Sequence, residues 1–129
     1  MMKTANVTGL ATAAVYVTDL KEALHFYESV LGFKKFKDMG SDGCWGKIGD
    51  LGLYIGGGAT PVKVTVGDQQ VTLVLAVDDI VMFHSQAKSE GIAFDEELMP
   101  LGDDKSFWFR FKDPSGNLLE AAGEMRRNV

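Results

Sequence analysis

The feature that most limits what this chain can fold into is a pattern that occurs twice. Val17-Thr18-Asp19-Leu20 is matched 60 residues later by Val77-Asp78-Asp79-Ile80. Each copy follows a β-prone run, residues 12–17 and 71–77, and each leads into an amphipathic stripe. Asp19 and Asp79 predict helix N-caps, whose carboxylates accept from first-turn amides that have no intrahelical partner. Glu22, three residues after Asp19, completes a capping box. In the first copy Leu20, Ala23, Leu24, Tyr27, Val30 and Leu31 recur at helical spacing, with Leu24 and Tyr27 expected in the core; in the second Ile80, Phe83 and Ala87 do. Gly32 and Gly91 then end the helices. Two copies are too few for a solenoid.

After each helix the period changes to two. Residues 33–39, 44–48 and 51–55 read as strands, with Gly49-Asp50 as the hairpin turn between the last two. In the second copy residues 92–98 read as extended, and the sequence F-W-F-R-F follows. There Phe107, Phe109 and Phe111 share one face of a strand, Trp108 and Arg110 the other. Asp113-Pro114-Ser115-Gly116-Asn117 supplies turn chemistry: Pro114 presets φ, Gly116 can take a positive φ, and Asp113 and Asn117 can bond nearby backbone. Residues from Leu118 form the last strand, with Glu120 inside an apolar run. Gly32-Phe33 is matched by Gly91-Ile92, and Trp45 with Lys47 by Trp108 with Arg110.

The fold class is therefore α+β: two βαβββ modules in one chain whose curved sheets face one another. Module one covers about 9–56, a glycine-rich linker about 57–70, and module two about 71–124. Residues 62–66 fit either a further strand or an extended linker.

A length of 129 residues and 46% hydrophobic residues suit one domain with a proper core. The net charge of −5 with no basic stripe argues against a nucleic-acid or anionic-membrane partner. Cys44 is the only cysteine, so no internal disulfide forms, which suits a cytoplasmic setting. No apolar run reaches membrane-spanning length. Residues 11–17 run straight into the helix start at Asp19 and read as a first strand, not a signal peptide.

Two motifs carry a resemblance. V-x-D-L-x-x-A-L-x-F-Y-x-x-V-L-G-F (residues 17–33) and F-x-F-K-D-P-S-G-N-L-L-E (residues 109–120) resemble the vicinal oxygen chelate superfamily of glyoxalases, bleomycin-resistance proteins and extradiol dioxygenases. The resemblance extends over about residues 12–124 and implies curved mixed sheets around a cup-shaped cavity, and a homodimer. In metal-dependent members each module gives a histidine at the start of its first strand and a carboxylate in its last. Those positions fall here on Thr12, Thr72, Glu120, and either Gly52 or Tyr54. A neutral hydroxyl is a poor ligand for zinc, iron or manganese. Calcium and magnesium accept hydroxyl oxygens, usually beside more than one carboxylate. No metal and no cofactor are expected. His25, beside Lys21 and Glu28 on the polar side of the first helix, reads as an exposed residue, His84 as a boundary residue, and Cys44 as a small apolar packer.

If Thr12 faces the cup, strand alternation turns Ala14 and Tyr16 the same way, with Thr72, Val74 and Ala76 in module two and Leu118 and Ala122 beside Glu120. The candidate ligand-binding residues are Thr12, Tyr16, Thr72, Trp45, Trp108 and Arg110. The tryptophans either pack while their cations reach for solvent, or one stacks a flat ligand whose anionic group meets Arg110. Glu120 either pairs with Arg110 or Lys47 at a rim, or stands dry and unpaired as a candidate catalytic base. Loops 56–67 and 100–104 are candidate covers. The reading that follows is a metal-free protein holding a small-molecule ligand in an apolar cup. The alternatives are a lyase, isomerase or dioxygenase using Glu120 or an atypical metal site, and a dimerising domain with a vestigial cup.

Overall fold

The computed structural model describes residues 5–40, 42–59, 69, 71–92, 95 and 97–126. Their order is β1 (Ala13–Tyr16), α1 (Leu20–Leu31), β2 (Lys34–Asp38), β3 (Gly43–Ile48), β4 (Leu51–Gly56), β5 (Leu73–Val77), α2 (Ile80–Ser89), β6 (Met99–Pro100), β7 (Ser106–Lys112) and β8 (Leu118–Glu124). The chain divides into two compact units, Met1–Ala59 and Thr60–Val129. Each unit is one βαβββ module. Strand order is β1-β4-β3-β2 in the first sheet and β5-β8-β7-β6 in the second. In both, the first strand runs parallel to the last and the remaining pairs are antiparallel, so the sheets are mixed.

The helices start where the aspartates stand. Asp19 Oδ1 accepts from the Glu22 amide at 3.1 Å, and Asp79 Oδ1 accepts from the Met82 amide at 3.1 Å. Gly32 and Gly91 both take φ 71°, a left-handed conformation that glycine adopts without a Cβ penalty.

In module one, Ala23, Phe26 and Tyr27 are the buried residues of α1, while Leu24 is only half-buried. This corrects the expected stripe, which placed Leu24 in the core. Phe26 takes that role because its ring reaches further and meets Tyr27 edge-on at 5.3 Å. Val15, Val17, Cys44, Leu53 and Ile55 are buried on the sheet's helix side. Burial pushes the Cys44 thiol above its ordinary range, which suits the inert packing role. Gly46 leaves the space that Phe33 fills, since a Cβ there would run into the Phe33 ring.

In module two, Ile80 and Ala87 of α2 are buried with Leu75, Phe109, Phe111, Leu119 and Ala121. Phe83 bridges helix and sheet, 5.8 Å from the Phe109 ring and 6.1 Å from Phe111. The β7–β8 turn is built on Asp113, a carboxylate only 4% exposed. It accepts from the Ser115 amide, the Asn117 amide and Asn117 Nδ2, each at 2.9 Å. A buried charge is tolerated when it is satisfied in this way. Gly116 takes φ 91° and its amide donates to the Asp113 carbonyl at 3.0 Å.

Pro100, expected in a loop, instead ends the two-residue strand β6 opposite Phe107. A proline is compatible with a sheet edge, where no partner strand needs its missing donor. Residues 62–66, much of 92–98 and most of loop 56–67 lie outside the described residues. Among the described residues no helix is long and apolar enough to cross a membrane.

Three substitutions test this packing and capping by urea denaturation. Ile55→Ala empties a fully buried site and is expected to cost about 2–5 kcal/mol, and Leu24→Ala distinctly less. Asp19→Ala is expected to cost about 1 kcal/mol through its lost cap.

Candidate functional site

Because each helix covers one face of its sheet, strand alternation leaves the other face for chemistry. In module two that face carries Thr72, Val74 and Ala76 beside Leu118, Glu120 and Ala122 of β8, and Trp108 and Arg110 of β7. Val74 is 57% exposed. Arg110 and Glu120 stand opposite one another in the ladder, and Arg110 Nη2 lies 3.3 Å from Glu120 Oε2. The second guanidinium nitrogen, Nη1, lies 3.2 Å from Asp95 Oδ2, and the guanidinium carbon sits 5.0 Å from the Trp108 ring centre. Trp108, Arg110 and Glu120 are thus brought together, with one cation held between two carboxylates. The Arg110 and Glu120 side chains are each 22% exposed, so the pair is only partly screened. The dry, unpaired Glu120 is not what the structure shows: the carboxylate is engaged. Arg110 thus lies over the Trp108 ring while holding both anions.

Thr72 is similarly occupied. Its hydroxyl donates to the Leu118 carbonyl at 2.6 Å and accepts from Gln69 Nε2 at 3.0 Å. The Gln69 amide also donates to the Leu118 carbonyl at 2.7 Å, while its oxygen accepts from the Leu118 amide at 3.1 Å. A side-chain amide here plays the part of one more strand residue. Nothing local in the sequence marks Gln69 for this, because its partner lies 49 positions away. Thr12 donates to the adjacent Ala13 carbonyl at 3.1 Å.

Sheet register settles which module-one residue corresponds to Glu120. Val74 pairs with Glu120, and Ala14, 60 positions before Val74, pairs with Tyr54. Tyr54 holds the position, not Gly52. By the same ladder Trp45, opposite Tyr54, corresponds to Arg110, opposite Glu120. The sequence match of Trp45 to Trp108 is two positions out of register. The family's ligand positions therefore carry Thr12, Tyr54, Thr72 and Glu120. Two hydroxyls, a phenol and a carboxylate shared with a guanidinium do not fit a transition metal. Among the described residues no group of three or more His, Cys, Asp or Glu side chains could hold an ion. His25 is exposed, and His84 Nε2 lies 3.4 Å from the Asp95 carbonyl oxygen with its ring against Phe109.

In module one the corresponding face is aromatic. Tyr16 and Tyr54 meet edge-on at 6.2 Å, and Tyr54 and Trp45 at 5.3 Å, forming a row across β1, β4 and β3. Gly43 and Gly56, a register pair, make room for it. A Cβ on Gly56 would stand 2.9 Å from both the Tyr54 and Tyr16 rings, and one on Gly43 would run into the Tyr54 hydroxyl. Tyr16 is 61% exposed. The Gly-x-Trp and Tyr-x-Gly spacings at residues 43–45 and 54–56 were the available signal for this row.

A recess of about 560 Å³ in module two, ringed by Asp78, Asp103, Asp104, Lys105, Glu124 and Arg126, lies apart from these residues. Two of its four carboxylates are paired, Asp78 with Arg126 at 3.0 Å and Glu124 with Lys105 at 3.3 Å. Hydrogen bonds from Ser106 hold the Asp103 carboxyl below its usual range.

The fold and these faces define a glyoxalase-type protein. Residues 9–121 match the Glyoxalase/Bleomycin resistance protein/Dioxygenase superfamily, and the chain belongs to that family. It is 27% identical over 114 residues to the uncharacterised protein YetH of Bacillus subtilis (strain 168), covering 85% of this chain and 93% of YetH. Its fold is similar to the genomically encoded fosfomycin resistance protein FosX of Listeria monocytogenes, with TM-score 0.77 and 16% identity over 93% of this chain and 96% of that one. FosX of Mesorhizobium loti gives 0.73 at 16% identity, over 93% and 95% of the two chains. A glyoxylase/bleomycin resistance protein/dioxygenase domain from Frankia sp. EAN1pec gives 0.72 at 16% identity, over 95% and 96%.

The Gln69 rung is testable. Gln69→Ala leaves the Leu118 amide without its partner and is expected to cost about 1–3 kcal/mol. Hydrogen exchange at Leu118 should accelerate in the variant.

Proposed function

We propose that this protein binds a small molecule and holds it without a transition metal. One observation carries the reading: at a position where metal-dependent members present an imidazole, the Thr72 hydroxyl spends its proton on the Leu118 carbonyl at 2.6 Å. The other ligand positions agree, since Thr12 and Tyr54 offer no anionic donor and Glu120 is shared with Arg110. The ligand lies against the open face of the module-one sheet, with Thr12, Tyr16 and Trp45 as contact surfaces. Glu120 is not proposed as a base, because it would first have to leave Arg110 to reach a substrate proton. A homodimer in the cytoplasm belongs to the same reading, through the family resemblance and the single buried thiol.

The test is metal analysis of protein purified without added metal, followed by melting with and without chelator. Less than one transition ion per several chains and an unchanged melting temperature are expected. A stoichiometric ion, or a melting temperature that falls when it is removed, would overturn the reading.

A further inference from the structure

The open face of the module-one sheet differs from its counterpart in one respect: its charges are not matched. Strand β2 carries a bulge between Lys35 and Lys37, so that Lys37, and not Phe36, stands opposite Trp45. A bulge re-aims the residues that follow it. Here it puts Lys37 on the same face as Lys34, Lys47 and the aromatic row, while Lys35 and Asp38 pair on the other side at 3.0 Å. Lys34 and Lys47 are direct cross-strand partners. Like charges in that position destabilise a sheet, so the arrangement is a cost that packing does not explain. Among the described residues none of Lys34, Lys37 and Lys47 forms an ion pair, and the register places no carboxylate on this face of the four strands. The chain as a whole carries −5, so this face runs against its own background.

We infer that this face binds a planar aromatic anion, its ring against the Tyr16–Tyr54–Trp45 row and its charged group between Lys37 and Lys47. Glycines at 43 and 56 hold the row down on the backbone, and its tilted rings offer both faces and edges to a ligand ring. The anion relieves the Lys34–Lys47 repulsion, so ligand and sheet are complementary in charge as well as shape. Module two cannot take the same ligand in the same way, because Arg110 is already neutralised by Glu120 and Asp95. The inference rests on the small-molecule reading above and names the chemical class of its ligand.

The experiment is calorimetric titration of the full chain, in chelator, with three probes: 2-naphthoate, the neutral 2-naphthalenemethanol, and the non-planar cyclohexanecarboxylate. Saturable binding of 2-naphthoate at one per chain is expected, with both other probes at least about tenfold weaker. Trp45→Ala should remove the binding and Trp108→Ala should leave it. Lys37→Gln with Lys47→Gln, both exposed positions that leave the core intact, should weaken naphthoate about tenfold and leave the alcohol unchanged. Equal binding of the alcohol, or dependence on Trp108 instead of Trp45, would overturn the inference while keeping the small-molecule reading. Failure of all three probes and of a broad fragment library to bind would overturn both.

Discussion

A strand that pairs in parallel with the last strand of its own module forces the chain to cross one face of the sheet in between. That crossing is the constraint from which both modules follow. Parallel partners cannot be joined by a tight turn, so a helix makes the connection and covers the face it crosses. Once β1 lies beside β4, alternation sends Val15, Val17, Leu53 and Ile55 toward α1 and leaves Tyr16 and Tyr54 on the far side. In module two the same pairing of β5 with β8 buries Leu75, Leu119 and Ala121 and leaves Val74 and Glu120 outward. Function is therefore confined to one face of each sheet before any particular side chain is considered.

What the two modules do with that face is different. Module two resolves its polar groups internally. Thr72 and Gln69 close on the Leu118 backbone, and Arg110 is held by Glu120, Asp95 and the Trp108 ring. Thr72 and Glu120, where the sequence resemblance would place metal ligands, here fasten strands together. Module one does the opposite: it gathers aromatic rings over glycine and surrounds them with lysines that have no acidic neighbour on the same face. A satisfied face suits a scaffold, whereas an unsatisfied one suits a ligand.

Local chemistry made much of this legible in the sequence. Asp19 and Asp79 cap helices through atoms three residues away, and Asp113 organises its turn within four. Such contacts can be read from spacing alone. The division into helix-side and open faces was also legible, because it needs only the parity of each strand. Most of the misses share one cause, which is that they depend on how strands align across the sheet. Trp45 was matched to Trp108 by residue type, yet the ladder sets it against Arg110. Gln69 gains its role from a strand start 49 positions on. The β2 bulge, which delivers Lys37 to Trp45, is a register event with no signature in its own residues. Leu24 gave way to Phe26 because helical periodicity marks an apolar arc without saying which side chain is long enough to fill the space beneath it.

In the proposed reading, ligand recognition lies on the aromatic, lysine-flanked face of module one and not at the metal-ligand positions. The most direct measurement is a backbone and indole amide shift map of the labelled protein, recorded during titration with 2-naphthoate in the presence of chelator. Saturable shifts are expected at the Trp45 indole, Tyr16, Tyr54 and Lys47, with the Trp108 indole and Thr72 unmoved. Shifts centred on Trp108, Arg110 and Glu120, or shifts that appear only when manganese is added, would contradict it.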